Sequence, residues 1–221
     1  KEKGRLTTRV YARPTIDKWS GLDAVGIEHG YGDAKLRIGG LKGFVDGILG
    51  NSTARFYEPY EHRESRGQWR DHMEEGLQSY IEGAARSGHW PQVHAIGTQA
   101  IDTLLTMYER AQAAVDETEN QRWRVIHAQH LRGPEVADRM ADLDVIAEMQ
   151  PVHAIDDMRW VERRVGSGRA RWSWPFKTIQ EAGVRLSFGS DWPGTNAAWY
   201  TTNPLHGIYA AAERKTVQGD P

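Results

Sequence analysis

The chain has 221 residues, a formal net charge of −2, nine histidines, nine tryptophans and no cysteine. That length allows one domain with a sizeable core, but it falls short of the about 250 residues typical of a complete eight-strand barrel. Charge of mixed sign gives no basis for binding nucleic acid or an anionic membrane, no run of about 18 apolar residues is available to span a bilayer, and without cysteine there is neither a disulfide nor a thiolate metal site.

Leu6–Tyr11 is rich in β-formers and predicts a strand that ends before Pro14. Thr15–Gly32 has weak periodicity and four glycines, which suits a loop with a short helix. Leu36–Val45 reads as one strand with Lys42 near its end, and Asp46-Gly47 breaks it. The polar and aromatic stretch Gly50–Gly67 is too long for a tight connection. In Asp71–Arg86, Met73, Leu77, Tyr80, Ile81 and Ala84 recur at helical spacing, and Gly88 stops the helix. Further strands are predicted at Gln92–Ile96, Trp123–Ala128, Val145–Met149 and Val184–Phe188. Between them lie a helix capped by Thr98 with Ile101, Leu104, Leu105 and Tyr108 inward, and another opened by Gly133-Pro134 with Val136 and Met140 inward. Helices are also predicted over Ile155–Val165, Phe176–Ala182 and Pro204–Arg214. From Leu36 onward strand and helix alternate, which marks βα units and a parallel sheet, with six strands in all. The charged start, Lys1-Glu2-Lys3-Gly4, has no apolar stretch behind it, so no signal peptide is expected and the cytoplasm is favoured.

Three strand ends carry metal-type ligands: His94, His127 and Asp191. In a barrel of parallel strands all such ends share the face where barrel enzymes do their chemistry. Imidazole nitrogens and a carboxylate suit zinc and similar divalent ions, although Asp191 also fits a turn or cap. Lys42 near an apolar strand's end is costly to bury. Either its ammonium reaches solvent, or it serves as a substrate contact or covalently modified ligand, with Asp46 a candidate partner. His153 at another strand end binds substrate, polarises a carbonyl or packs, and Gln129 and His130 support the ligands from behind. His29, His62, His72, His89 and His206 read as surface or loop residues. Trp160, Trp172, Trp174, Trp192 and Trp199 crowd one region, as core packing or as an aromatic wall around an apolar substrate. Nucleophile-elbow, phosphate-loop, dinucleotide and H-E-x-x-H motifs are all missing.

Gly40-Leu41-Lys42-Gly43-Phe44-Val45-Asp46-Gly47, followed by Ser52-Thr53-Ala54, Glu58-Pro59-Tyr60, His94-Ala95-Ile96-Gly97, His127-Ala128-Gln129, Met149-Gln150-Pro151-Val152-His153 and Phe188-Gly189-Ser190-Asp191-Trp192-Pro193, resembles the amidohydrolase superfamily. The likeness, in order and spacing, is to its amidohydrolase-3 branch of YtcJ-like proteins and N-substituted formamide deformylases. Arg5–Tyr11 resembles that branch's third-strand segment. The resemblance covers essentially the whole chain. It implies an α/β fold of the (β/α)8 TIM-barrel type, expected here as an incomplete barrel of about strands 3 to 8 without the branch's β-sandwich, forming one partial domain over residues 1–221. It implies one or two divalent metal ions, typically zinc, with Lys42, His94, His127 and Asp191 as ligands. Lys42 can be carboxylated in such enzymes, and Asp191 is the catalytic general base and then acid. His153, Gln129 and Trp192 are the expected substrate contacts. The implied function is hydrolysis of a small-molecule amide or related non-peptide C–N bond.

Two departures matter. No His-x-His occurs anywhere, and Ile126 and Thr98-Gln99 replace residues common in the branch, a Glu and an Asp-Arg respectively. The alternative expectation is therefore a truncated, catalytically incompetent barrel fragment without a complete metal site, self-associating as a homo-oligomer through exposed strand edges.

Overall fold

Apolar strands of four or five residues separated by amphipathic helices settle into a parallel sheet, because each helix carries the chain back to the same end. The computed structural model describes residues 4–70, 73, 76–116, 118–194 and 202–215. Its main sheet has five parallel strands in sequential order: β3 (Leu41–Phe44), β4 (Pro91–Ala95), β5 (Arg124–His127), β6 (Ile146–Met149) and β7 (Arg185–Phe188). A separate parallel pair, β1 (Val10–Ala12) and β2 (Leu36–Ile38), lies before it. The chain just beyond β1 meets the main sheet, since Thr15 bridges Lys42 and the Lys42 N–H donates to the Pro14 carbonyl at 2.8 Å.

The helices are α1 (Trp19–Ala24), α2 (Leu77–Arg86), α3 (Thr98–Ala114), α4 (Pro134–Asp142), α5 (Pro151–Asp157), α6 (Val161–Val165), α7 (Ser167–Ala170), α8 (Phe176–Glu181) and α9 (Pro204–Glu213). The core lies between helices and sheet. Val93, Val125 and Ala147 stand in register on one face, fully buried. Leu77 and Ile81 of α2, Ile101, Leu104, Leu105 and Tyr108 of α3, and Val136 and Met140 of α4 belong to the same cluster. Lys42, Phe44, His94 and Ile96 alternate to the opposite face, which is hollow and mixes polar with apolar side chains. There Glu148 of β6 accepts two 2.7 Å hydrogen bonds from Arg13 and one of 3.1 Å from Arg124. Burial alone would raise the Glu148 carboxyl, but the Arg13 hydrogen bonds and charge, with Arg124 and Lys42, hold it below the ordinary range.

Several element boundaries differ from the sequence expectation. Leu36–Val45 is not one strand: Gly39-Gly40 splits it into β2 and β3, which belong to different sheets. A Cβ on Gly40 would lie 2.3 Å from the Trp90 carbonyl, so the close approach of β3 to the start of β4 requires glycine. There are consequently seven strands rather than six among the described residues. The first is Val10–Ala12 rather than Leu6–Tyr11. Ile155–Val165 is broken into α5 and α6 around Trp160, and α5 begins earlier because Pro151 at its first position suits a helix start. Of the helix expected over Asp71–Arg86, Asp71, His72, Glu74 and Glu75 lie outside the described residues, as does Trp199. No helix among the described residues is long and apolar enough to cross a membrane.

Leu104 is fully buried against the sheet. Leu104→Ala is expected to lower the unfolding free energy by about 2–5 kcal/mol, read from the midpoint of urea denaturation at unchanged slope.

Candidate active site

The C-terminal ends of β3–β7 open into a cleft of about 580 Å³. Lys42 and Phe44 come to it from β3, His94 from β4, His127 and Gln129 from β5 and the turn beyond, His153, Asp156 and Asp157 from α5, and Asp191 from the loop after β7. Ile48, Leu49 and Trp160 supply apolar walls. Ligand atoms of His127, His153 and Asp191 all lie within 4.8 Å of one another. The His153 Nε2 is 3.8 Å from an Asp191 carboxylate oxygen.

Strict alternation would turn His127 toward the helices, on the side of Ala95 and Val125. It does not turn that way, because His127 has φ 76° and Ala128 φ 45°, a left-handed pair that swings the imidazole into the cleft. Its ring centroid then lies 4.5 Å from that of His94 and 5.9 Å from that of His153. Asp191, with φ 53°, is held in the same region of backbone space, which costs on the order of 1–3 kcal/mol per residue outside glycine.

Hydrogen bonds fix which nitrogens are free. The Gln150 side-chain oxygen lies 2.7 Å from His127 Nδ1. That nitrogen must carry the proton, and Nε2 keeps its lone pair. The Gly47 carbonyl lies 2.9 Å from His94 Nε2, so His94 offers Nδ1. His153 Nε2 is buried without a hydrogen-bond partner. Burial pushes His127 well below the usual histidine range, helped by the charges of His94, Lys42 and His153, so its imidazole is neutral. Burial also lowers His153, opposed by the nearby carboxylates of Asp191 and Asp156. Lys42 is pulled down to about 8 by burial, with Asp191 acting the other way, and its Nζ stands 4.9 Å from the centre of the Phe44 ring.

Asp46 does not pair with Lys42. Its carboxylate accepts from the backbone N–H groups of Arg55 (2.7 Å), Ile96 (3.0 Å) and Gly97 (2.9 Å), and one oxygen lies 3.4 Å from His94 Nε2. His130 sits behind the cleft, with its Nε2 accepting from Gln129 and its Nδ1–H donating to Ser173 Oγ at 2.7 Å. His89, expected at the surface, is fully buried between α2 and β4. Trp192 is 54% exposed and is not among the described residues that line the cleft, whereas Trp160 is. His94 is not part of that group of three, although it and Lys42 line the same cleft. Sequence reasoning missed Asp157, a half-buried cleft carboxyl pushed up to about 7 by burial and by the charge of Asp156. Its signal was available: two acids in the last turn of a helix, where cations are favoured.

The long stretch Gly50–Gly67 is fastened to the helices beyond the cleft. Arg164 donates to Ser52 Oγ at 3.0 Å and to His62 Nε2 at 2.8 Å. Arg169 donates to the Pro59 carbonyl at 2.8 Å, and the Glu61 N–H reaches the Arg164 carbonyl at 2.9 Å.

The chain that carries this parallel α/β unit, with two imidazoles and a carboxylate converging beyond its strand ends, belongs to the Amidohydrolase family, whose model matches residues 1–220. It is 36% identical over 201 residues to the Arabidopsis thaliana protein LONG AFTER FAR-RED 3, covering 90% of this chain and 33% of that protein. It is 31% identical over 202 residues to YtcJ of Bacillus subtilis (strain 168), named as an amidohydrolase, covering 91% of this chain and 35% of YtcJ. The crystal structure of an uncharacterized metal-dependent hydrolase from Pyrococcus furiosus superposes with a TM-score of 0.82 at 31% identity, covering 98% of this chain and 42% of that one. A counterpart from Pyrococcus horikoshii OT3 gives 0.81 at 30% identity, covering 96% of this chain and 41% of that one. The chain thus spans about a third of the length of these curated relatives.

Burial holds His130 down at about 3, so it stays neutral in the fold while an unfolded histidine takes up a proton below about 6.5. The unfolded state binds the extra proton, so stability falls as pH drops from about 6.5 toward 3, by about 1.4 kcal/mol per pH unit for this group. His130→Asn is expected to reduce the slope of unfolding free energy against pH between 6 and 4 by about one proton, measured by urea titrations across that range.

Proposed function

We propose that this chain is the metal-site part of a hydrolase that cleaves an amide or related non-peptide C–N bond of a small-molecule substrate by attack of water. The observation that carries this reading is the convergence of His127, His153 and Asp191 within 4.8 Å at the mouth of a parallel sheet. We read residues 1–221 as one partial (β/α)8 barrel domain holding about strands 3 to 8. Sheet β3–β7 would account for five of these, and the Arg5–Tyr11 segment would be the sixth, its strand β1 lying in a separate pair from which the chain runs on to meet Lys42 at Thr15.

The donor set fits a divalent cation of zinc type: neutral imidazoles with free lone pairs, each oriented by a hydrogen bond or left unpartnered, and a carboxylate. His127, His153 and Asp191 would hold it, with Lys42 and Nδ1 of His94 completing the ligands. A cation held there supplies Lewis-acid polarisation of a carbonyl and makes water more acidic. Asp191 accepts the proton of the attacking water and then delivers one to the leaving nitrogen. His153 Nε2 stands 3.8 Å from that carboxylate, without a hydrogen bond between them. Gln129 presents its amide to the substrate from the cleft floor, and Trp192 flanks Asp191 at the exposed side.

In a zinc titration followed by calorimetry, the chain is expected to bind zinc, and replacing His127 and His153 together by Ala is expected to abolish binding. Full metal content in that double variant would overturn the reading. Asp191→Asn is expected to reduce amide turnover by about 10²–10⁴-fold. A second reading, a barrel part without a complete metal centre, draws on the ligand group's having three members rather than a full set. It is favoured if zinc binds while no amide is turned over.

A further inference from the structure

Asp157 breaks a local rule with partial compensation: the charges of Arg159 and Arg164 and a bond to Gln129 offset less than burial and Asp156 impose. It lies at the C-terminal end of α5, where the helix dipole already disfavours a carboxylate, and its neighbour Asp156 adds a second negative charge. Asp156 is engaged by Arg159, whereas no cation among the described residues makes an ion-pair contact with Asp157. The side chain bonded to Asp157 is that of Gln129, which also lines the cleft. Asp157 follows the ligand His153 by four residues, so both stand on the cleft-facing side of α5, yet Asp157 is outside the converging ligand group. Trp160 walls the cleft next to it. Buried carboxyls that serve only the fold are normally matched by a cation or several N–H donors, as Asp46 and Glu148 are. A half-buried carboxyl that faces a reaction cleft with no contacting cation is placed to meet one on a ligand.

We propose that Asp157 is the specificity-determining residue of this cleft and selects amides whose acyl or amine part carries a cationic nitrogen, which it meets beside Trp160 and Gln129. The inference rests on the hydrolase reading above and names its substrate class. The cation binds Asp157 through a charge-assisted hydrogen bond in a site partly closed to water, where such a pair is stronger than at the surface. The indole of Trp160 adds an aromatic wall for the alkyl part.

The test compares N-(4-aminobutyl)acetamide with N-pentylacetamide, in which a methyl replaces the ammonium, as ligands of the zinc-loaded chain by calorimetry or ligand-observed NMR. The wild-type chain is expected to bind the charged amide about ten-fold more tightly. Asp157→Asn, which preserves shape and the bond to Gln129, is expected to bring the charged amide down to the affinity of the neutral one. Equal binding of the two amides by the wild-type chain, or a preference that survives in Asp157→Asn, overturns the inference and leaves the hydrolase reading standing. Binding of neither amide overturns both. Loss of a zinc equivalent in Asp157→Asn overturns it differently, by making this carboxyl a metal ligand. The wild-type comparison of the two amides decides the matter even if the variant does not fold.

Discussion

Asp46 is a charged group with 1% of its surface exposed, and the fold tolerates it because three backbone N–H groups from two loops converge on its carboxylate. The loop after β3, the turn from β4 into α3 and the start of Gly50–Gly67 are thereby pinned to one point. His94 leans on the same place, with its Nε2 held between the Gly47 carbonyl and Asp46. Gly97 completes the arrangement. A Cβ there would lie 2.0 Å from the Arg55 carbonyl, which also receives N–H groups from the first turn of α3. Without this knot the rim of the cleft would have no fixed shape, and an ordered ligand set depends on a fixed rim.

The strands and helices that bury apolar side chains were legible in the sequence, because burial imposes periodicity. Gln92–Ile96 and Trp123–Ala128 appear within a residue or two of their predicted bounds, and the helix of Leu104 and Tyr108 is present, although Gly97 rather than Thr98 is its cap and Thr98 is its first residue. The split of Leu36–Val45 was not legible. It comes from the close approach of β3 to Trp90, a tertiary contact that leaves only two glycines as its trace. His94, His127, His153 and Asp191 were named from strand ends, and the structure gathers them in one cleft. The route by which His127 arrives there, through a left-handed backbone rather than alternation, has no signature in residue type. His89 read as a surface residue because a single polar residue after a helix stop gives no hint of being overlaid by the β1–β2 region.

The cleft holds several departures from local preference. His127 and Asp191 occupy backbone conformations unfavourable for non-glycine residues, Lys42 is buried without a salt bridge among the described residues, and Asp157 opposes its own helix dipole. Much of the core is ordinary apolar packing, as at Val93, Val125, Ala147 and Leu104, although left-handed backbone also occurs at Ser52, Asp144, Arg214 and, within the core cluster, Trp174. The conflicts at the cleft differ in kind, because there strained backbone coincides with poorly compensated charge.

The arginine fastenings between Gly50–Gly67 and the α6–α7 region have a mechanical consequence. Because Arg164 and Arg169 stitch that segment to the helices at several atoms, the two cannot part by small steps. Leu49 and Trp160 adjoin the two fastened segments and both wall the cleft, so whatever loosens this seam reaches the cleft's apolar side directly.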